Sequence, residues 1–212
     1  MHNRTDIHNR LWIVGVNLVH GALYLHEQPE KLIGSLLDDL TPQRLQVNMI
    51  RFSGPAFRGV DNRFMSLQLV QQGLAGAAMF MPGGEAVLAS EVLYKKPVLV
   101  ERGCFRPITN ATLDMPEGAR AQFVQEQDGQ GEDPVVLMEM TLKNLTDHGN
   151  IDHKDFLDRV ELLGTLGKTV LISNYGEYYR LAGYLFHYTK KKVGLAMGVP
   201  SLREIFDEKY YA

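Results

Sequence analysis

Val135-Val136-Leu137-Met138-Glu139-Met140-Thr141 is an apolar run with one internal charge. Apolar residues that are continuous, rather than alternating with polar ones, are typical of a strand covered on both faces. Two shorter runs of the same kind follow, Thr169–Ser173 and Val193–Met197, and helical periodicity covers Asp152–Leu166 and Glu177–Tyr188 between them. Because parallel strands need crossover connections, this alternation predicts an α/β protein with a largely parallel sheet.

The pattern extends toward the N-terminus. Ala77–Met81 is predicted to pair as a hairpin with Ala86–Leu88 across the Pro82-Gly83-Gly84 turn. The further predicted strands are Leu11–Val19, Leu45–Phe52 and Pro97–Glu101. The further predicted helices run from Pro29 to near Thr41-Pro42, from an Asp61 cap to near Gly73, over Ser90–Tyr94, over Glu117–Gln127 and over Ser201–Phe206.

Two arrangements of such a sheet fit the number of predicted strands. One is a small (β/α) barrel and the other an open, doubly wound sheet. With 212 residues and 45% hydrophobic residues, the chain suits a single α/β domain over 1–212. The loop at 128–134 is the clearest break in the pattern, but it is too short to predict a domain boundary.

Composition excludes several functional classes. The net charge of −3 argues against a dedicated nucleic-acid surface. The single cysteine, Cys104, allows no intramolecular disulfide and fits a reducing compartment. The apolar run from Leu11 to Leu25 is interrupted by polar residues and glycine, so it predicts neither a signal peptide nor a membrane span. We therefore expect a cytoplasmic protein without nucleic-acid or membrane partners.

Ligands of α/β proteins bind at the carboxyl ends of the strands, where loops converge and helix N-termini point. Polar or small residues lie at six of the predicted strand ends, so we expect a ligand region there. Those residues are Asn17, His20, Arg51, Ser53, Glu101, Arg102, Glu139, Thr141, Ser173, Asn174 and Gly198.

Two strand-to-helix loops are candidates for binding an anion. Ser173-Asn174 and Gly198 each precede a predicted helix, whose free N–H groups favour phosphate or carboxylate. Ser201 would add a hydroxyl group to the second loop. The alternative is ordinary helix capping, because Ser201 with Glu204 has the spacing of a capping box.

Glu101 and Glu139 are candidate acid/base residues, with Arg102 as an orienting group. Partial burial at the ends of apolar strands would raise a carboxyl pKa into a catalytic range. Alternatively, Arg102 or Arg51 pairs with one glutamate as a structural ion pair. The Asp and His residues at 147–153 offer metal-ligand types, but they are also common helix caps, so we predict no metal site. No motif indicates a cofactor.

The segment Gly103-Cys104-Phe105-Arg106-Pro107-Ile108-Thr109 is similar to the Gly-x-Phe-x-Pro-x-His motif of nucleotidylyltransferases. Those enzymes use two histidines near the end of the motif to contact the nucleotide phosphates. Here 109–112 carries Thr-Asn-Ala-Thr, so both histidines are missing.

Three further segments resemble a family of longer bacterial proteins labelled nicotinate-nucleotide adenylyltransferase or TonB-dependent receptor. They are Phe52–Phe57, Glu91–Gly103 and Gly198–Phe206. The resemblance covers most of the chain, and it implies that the chain corresponds to an internal part of those proteins. It assigns no catalytic residue to any position here.

The leading expectation is an enzyme or enzyme-like domain that binds a small anionic metabolite at the strand ends. Two alternatives remain open at the level of sequence. The first is a non-catalytic interaction or scaffold domain that pairs with a partner or a second copy, using surfaces that include Tyr210 and Tyr211. The second is a nucleotidyltransferase-like protein with a degraded motif.

Overall fold

The computed structural model describes residues 2–40, 45–126, 132–147 and 150–206. The predicted helix end at Thr41-Pro42, most of the predicted loop at 128–134, and Tyr210 and Tyr211 lie outside these residues. The strands are β1 (Ala77–Phe80), β2 (Ala86–Val87), β3 (Val98–Arg102), β4 (Val135–Thr141), β5 (Thr146–Asp147), β6 (Asn150–Ile151), β7 (Thr169–Ser173) and β8 (Val193–Ala196). The helices are α1 (His2–Tyr24), α2 (Pro29–Ser35), α3 (Asn62–Gln71), α4 (Ala89–Leu93), α5 (Asn110–Gln125), α6 (Leu142–Leu145), α7 (His153–Thr165), α8 (Tyr178–Tyr188) and α9 (Val199–Ile205).

Six strands form one open, mixed sheet in the order β2-β1-β7-β4-β3-β8. The four strands from β7 to β8 are parallel, and β1 is antiparallel to both β2 and β7. The prediction of an α/β protein with a largely parallel sheet is confirmed. The sheet has edges at β2 and β8, so the doubly wound alternative holds and the barrel alternative is wrong.

Helices cover both faces of this sheet. On the first face, α3 and α7 bury their apolar residues against Phe80, Met138 and Ile172. On the same face, Phe123 of α5 packs on Leu99. On the second face, α4 and α8 pack against the strand residues that alternate with those of the first face, such as Leu137.

Several predicted elements are confirmed closely. β4 and β7 have the predicted bounds, and the hairpin pairs Met79 with Val87. Asp61 caps α3 by accepting a hydrogen bond from the Arg63 N–H at 2.8 Å. Asp152 caps α7 in the same way. These segments combine a clear period with a capping residue, which is why local sequence specifies them.

The predicted strand Leu11–Val19 is wrong, because this run lies within the 23-residue helix α1. One side of α1 packs on α2, α2 packs on α3, and α3 packs on β1. Asn17 and His20 are therefore helix residues outside the sheet rather than residues at a strand end. A short apolar run does not distinguish a strand from a helix by periodicity alone. Among the described helices, none is long and apolar enough to cross a membrane.

The predicted strand Leu45–Phe52 is also wrong, because this segment has no regular secondary structure. It makes an isolated backbone hydrogen bond from Val47 N to Leu74 O at 2.9 Å. Further along, the side-chain amide of Asn62 accepts from Phe52 N at 2.7 Å and donates to Phe52 O at 3.1 Å. An apolar run becomes a strand only where a partner strand completes the ladder.

The hairpin turn after β1 rests directly on α7. A Cβ atom placed on Gly164 would come within 2.4 Å of the backbone oxygen of Pro82, whereas one placed on Gly183 in α8 would meet no atom within 4 Å. Glycine at position 164 thus permits the close contact between this turn and α7.

We predict that Gly164→Ala destabilises the protein by about 1–3 kcal/mol, because the added methyl group overpacks a backbone contact. The matched change Gly183→Ala should be neutral or stabilising by about 0.5–1 kcal/mol, since alanine is favoured over glycine within a helix. Urea unfolding of both variants measures the difference. Equal stability of the two variants would contradict the close contact.

Candidate functional site

The carboxyl ends of the parallel strands bring together five of the residues predicted from sequence: Glu101, Arg102, Glu139, Thr141 and Ser173. In the sheet register Arg102 lies beside Glu139, and Glu139 lies beside Leu171 of β7. Glu101 instead pairs with Met138 and Ala196. Because side chains alternate along a strand, Glu101 and Glu139 point to opposite faces of the sheet.

On the second face, Arg102 and Glu139 form a two-pronged ion pair. The Arg102 Nε lies 2.6 Å from Glu139 Oε2, and Nη2 lies 3.2 Å from Oε1. The Glu139 side chain is fully buried and that of Arg102 is 11% exposed. Ser173 adds a third contact, donating its hydroxyl hydrogen to Glu139 Oε1 at 2.5 Å.

The same arginine holds the loop between β7 and α8. It donates from Nη2 to the Tyr175 carbonyl at 2.8 Å and from Nη1 to the Gly176 carbonyl at 2.5 Å. The Tyr178 ring lies 4.4 Å from the guanidinium carbon. We call Arg102, Glu139 and Ser173 the carboxylate clamp. Within the clamp, the Ser173 hydroxyl donates to Glu139 and accepts from the Tyr175 N–H, so Ser173 has a structural role whether or not it also contacts an anion.

On the first face, Glu101 is buried outside the clamp. It is 2% exposed, and among the described residues its Oε2 atom has no hydrogen-bond partner. Burial raises the pKa of this carboxyl from its ordinary 4.5 to about 7, a rise that the positive charge of Lys168 opposes. Lys168 is itself paired with Glu117 of α5 at 3.0 Å. A carboxylic acid in this setting exchanges its proton near neutral pH.

The loop from β3 to α5 lies next to Glu101 in the chain and holds an unusual backbone conformation. Phe105 is buried with φ +51, in the left-handed region. Thr109 caps α5 by accepting from the Thr112 N–H at 3.3 Å. Arg106 is 57% exposed and lies 3.2 Å from Asp155. The loop therefore carries an exposed cation four residues before the start of a 16-residue helix, and that cation pairs with the first turn of α7.

A hollow of about 550 Å³, open to solvent, lies between α5 and β8. Its lining includes Ala196, the residue that pairs with Glu101 in the sheet, and Gly118 of α5. Asp114 and Gln122 supply polar side chains. The hollow provides space on the outer side of α5, next to the strand that carries Glu101.

The predicted ligand residues from the N-terminal part of the chain lie away from the clamp. The Asn17 amide donates to the carbonyls of Leu36 and Asp38, and the His20 ring lies 4.9 Å from that of Tyr24. Arg51 pairs with Glu85 in the β1–β2 turn, at the opposite edge of the sheet from the clamp. Ser53 is exposed in the irregular segment.

The two loops predicted to bind an anion both join a strand to a helix, as expected, but their polar residues are placed differently. Asn174 is exposed, and its backbone N–H is bonded to the Gly76 carbonyl at 3.0 Å. Gly198 directly precedes α9. That helix begins at Val199, so Ser201 lies inside its first turn rather than at its cap. The side chain of Glu204 is outside the described residues, and the predicted capping box falls there with it.

No cluster of three or more metal-ligand residue types occurs among the residues that the structure describes. Asp152 is a helix cap, and the His153 ring packs on Phe64 at 4.2 Å. His148 lies outside the described residues.

Sequence reasoning missed Lys168 and the loop carbonyls of Tyr175 and Gly176. Lys168 acts on Glu101 across two strands, and no local pattern marks that relation. A backbone carbonyl carries no sequence signal at all.

Compared with known proteins, the chain matches no family model, no curated protein and no solved structure. Function must therefore be inferred from the site itself.

We predict that the stability of the protein depends on pH through Glu101. The pKa of the folded state lies above the ordinary 4.5, so the folded state holds the proton more tightly. This stabilisation is complete below pH 4.5 and is lost as the pH rises through about 7, a change of up to about 3 kcal/mol. Urea unfolding across this range should show it in the wild type and not in Glu101→Gln. Parallel curves for the two proteins would contradict a buried, titrating Glu101.

We also predict that Glu139→Gln destabilises the fold by about 3–5 kcal/mol, because it leaves a buried arginine without its counter-charge. Ser173→Ala should cost about 1–3 kcal/mol, since one donor to the carboxylate is lost. As a control, Glu85→Gln breaks the exposed pair with Arg51 and should cost less than about 1 kcal/mol. If the loss in Glu139→Gln matches that of the exposed pair, the clamp does not stabilise the fold.

Proposed function

We propose that the protein is an enzyme or enzyme-like domain that binds a small anionic metabolite at the carboxyl edge of β3. Glu101 is its acid/base group, and the first turn of α5 with Arg106 receives the anion. The observation that carries the proposal is Glu101, a buried carboxyl that lacks a hydrogen-bond partner for Oε2 among the described residues.

The acid/base role is supported by the free-energy cost of burying the Glu101 carboxyl. A buried carboxyl with an oxygen that lacks a hydrogen bond destabilises the fold whenever it is charged, and costs of this kind are concentrated at functional sites. A pKa of about 7 lets the same group donate and accept a proton near neutral pH. Glu139 is not suited to this role, because the clamp engages both of its oxygens.

The anion site is supported by the end of α5. The first N–H groups of a helix lack intrahelical partners, and the helix dipole adds a partial positive charge. Thr109 accepts a hydrogen bond from the Thr112 N–H, whereas the N–H groups of Asn110 and Ala111 have no partner within the helix. Arg106 adds a full positive charge in the same loop. Its exposed guanidinium pairs with Asp155, whose side chain is 19% exposed.

The topology also favours this location. Along the chain the parallel strands come in the order β3, β4, β7 and β8, but β8 returns to the other side of β3. In open α/β sheets ligands bind where the strand order reverses in this way. The reversal lies between β3 and β8, next to the hollow beside α5. The Gly103–Thr109 segment, with its similarity to nucleotidylyltransferases, is the first loop of the parallel set, so nucleotides belong among the anions to test.

We predict that ribose 5-phosphate or AMP shifts the backbone N–H signals of Thr109, Asn110 and Ala111 in a two-dimensional NMR titration. Ribose and adenosine, which lack the phosphate, should leave these signals unchanged. Arg106→Ala should weaken binding about tenfold, in line with the loss of a charge-assisted contact. Glu101→Gln should leave binding of these probes intact, and it should abolish any turnover of a substrate identified from them.

Two results of this titration would contradict the proposal. Equal shifts with the phosphorylated and neutral probes, or shifts confined to the Arg51 and Glu85 edge, would place the binding region elsewhere. Arg51→Ala is the matched control for Arg106→Ala, because it removes another exposed arginine, 71% against 57%, from that opposite edge.

A non-catalytic interaction domain is the second candidate. One observation favours it: α1 exposes a row of large apolar side chains. The two candidates are separable, because the proposed anion site and α1 lie on different parts of the molecule and can be altered independently.

A further inference from the structure

Helix α1 has two apolar sides, and the structure covers one of them. On the covered side, Val14 packs against the core and Gly21 lies close to Leu32 of α2. On the opposite side, Trp12, Val16, Val19 and Leu23 are 58–75% exposed. Large apolar side chains at this exposure are unusual as a group, although single ones are common on protein surfaces.

The exposed residues follow a regular spacing. Trp12, Val16, Val19 and Leu23 are separated by four, three and four positions, the spacing of the seam between two packed helices. Gly15 lies within the same row, and a Cβ placed there would meet no atom within 4 Å. We call Trp12, Gly15, Val16, Val19 and Leu23 the α1 seam. Its pattern is that of a helix which packs against another helix.

The size of the exposed surface matches a protein interface. With Leu11 and Tyr24 at its borders, the seam exposes on the order of 700 Å² of apolar side chain, since each aromatic residue alone offers about 150–250 Å². The largest patch on a typical monomer is about 300–600 Å². A stable interface buries about 800 Å² on each partner. Two copies of the seam would therefore bury close to what a stable dimer needs.

The sequence around the seam favours an antiparallel arrangement of two copies. Arg4, Asp6 and Arg10 precede the seam with a net charge of +1, whereas Glu27 in the turn after α1 and Glu30 and Lys31 in α2 follow it with a net charge of −1. An antiparallel pair places the net positive segment before one seam beside the net negative segment after the other, and it opposes the two helix dipoles favourably. A parallel pair would bring like charges together at both ends.

A two-fold axis between Gly15 and Val16 gives the seam a self-complementary register. Trp12 of one copy then lies opposite Val19 of the other, and His8 lies opposite Leu23. The absence of a side chain at Gly15 leaves room for the indole ring near the axis. Self-complementarity of this kind is what a symmetric homodimer requires.

We propose that α1 mediates an antiparallel homodimer of this chain through the α1 seam. The seam lies outside the sheet, beyond α2, so the pairing is independent of the proposed acid/base and anion site. Each protomer keeps its own carboxyl edge.

Light scattering coupled to gel filtration tests the oligomeric state of the full chain. We expect twice the 23.9 kDa of one chain at micromolar concentrations. Trp12 is the single tryptophan, so its fluorescence reports the seam directly, and its emission should shift to shorter wavelengths as the concentration rises. A monomer at every concentration, with constant emission, would overturn the proposal.

Two variants of α1 form a matched pair. Val16→Glu places a charge in the seam and should give a monomer with an unchanged circular dichroism spectrum. Leu18→Glu makes the same kind of change on the same helix outside the seam, at a residue that is 45% exposed, and should leave the dimer intact. If both variants stay dimeric, the dimer uses another surface and the proposal fails.

Cross-linking determines the direction of the helices, in a Cys104→Ser background. In the antiparallel register, two copies of residue 16 lie beside the axis, whereas two copies of residue 23 are about 22 Å apart along it. Val16→Cys should therefore form a disulfide dimer, and Leu23→Cys should cross-link only when mixed with His8→Cys. Self-cross-linking of Leu23→Cys would overturn the antiparallel arrangement. Binding of the monomer to anionic lipid vesicles, lost in Val16→Glu, would assign the seam to a membrane surface instead.

Discussion

The ion pair between Arg102 and Glu139 is the interaction on which the carboxyl edge of the sheet depends. It joins β3 to β4, reaches β7 through the Ser173 hydroxyl, and fixes the loop before α8 through the Tyr175 and Gly176 carbonyls. Breaking a buried pair leaves an uncompensated charge in the interior, so the three strands and this loop are held as one unit. The ends of these strands are consequently tied together, as the proposed placement of an acid/base group on β3 requires.

The clamp also explains why the two glutamates of this edge differ. Glu139 has its lone pairs occupied on the second face, whereas Glu101, one position earlier in the sheet register, faces α5 on the first face with Oε2 unpaired. Lys168 is close enough to act on it electrostatically but is paired with Glu117. The same residue type therefore serves structure on one face and remains available for chemistry on the other.

Much of the fold could be predicted from sequence, because β4, β7 and α7 combine a clear period with local caps. α1 could not, since its two apolar sides make a continuous run that resembles a buried strand. The opposite orientation of Glu101 and Glu139 follows from the alignment of β3 with β4, and that alignment is fixed by long-range packing. The pairing of Arg102 with Glu139 was one of two alternatives at the level of sequence, and the register of the sheet selects it.

The central claim is that Glu101 is a buried carboxyl that titrates near neutral pH. Carbon-13 NMR of the glutamate side-chain carboxyls, assigned by comparison with Glu101→Gln, measures this titration directly in the folded protein. The account predicts a midpoint for Glu101 at about pH 7. A midpoint near the ordinary 4.5 would show that Glu101 is solvated or paired, and it would contradict the acid/base role.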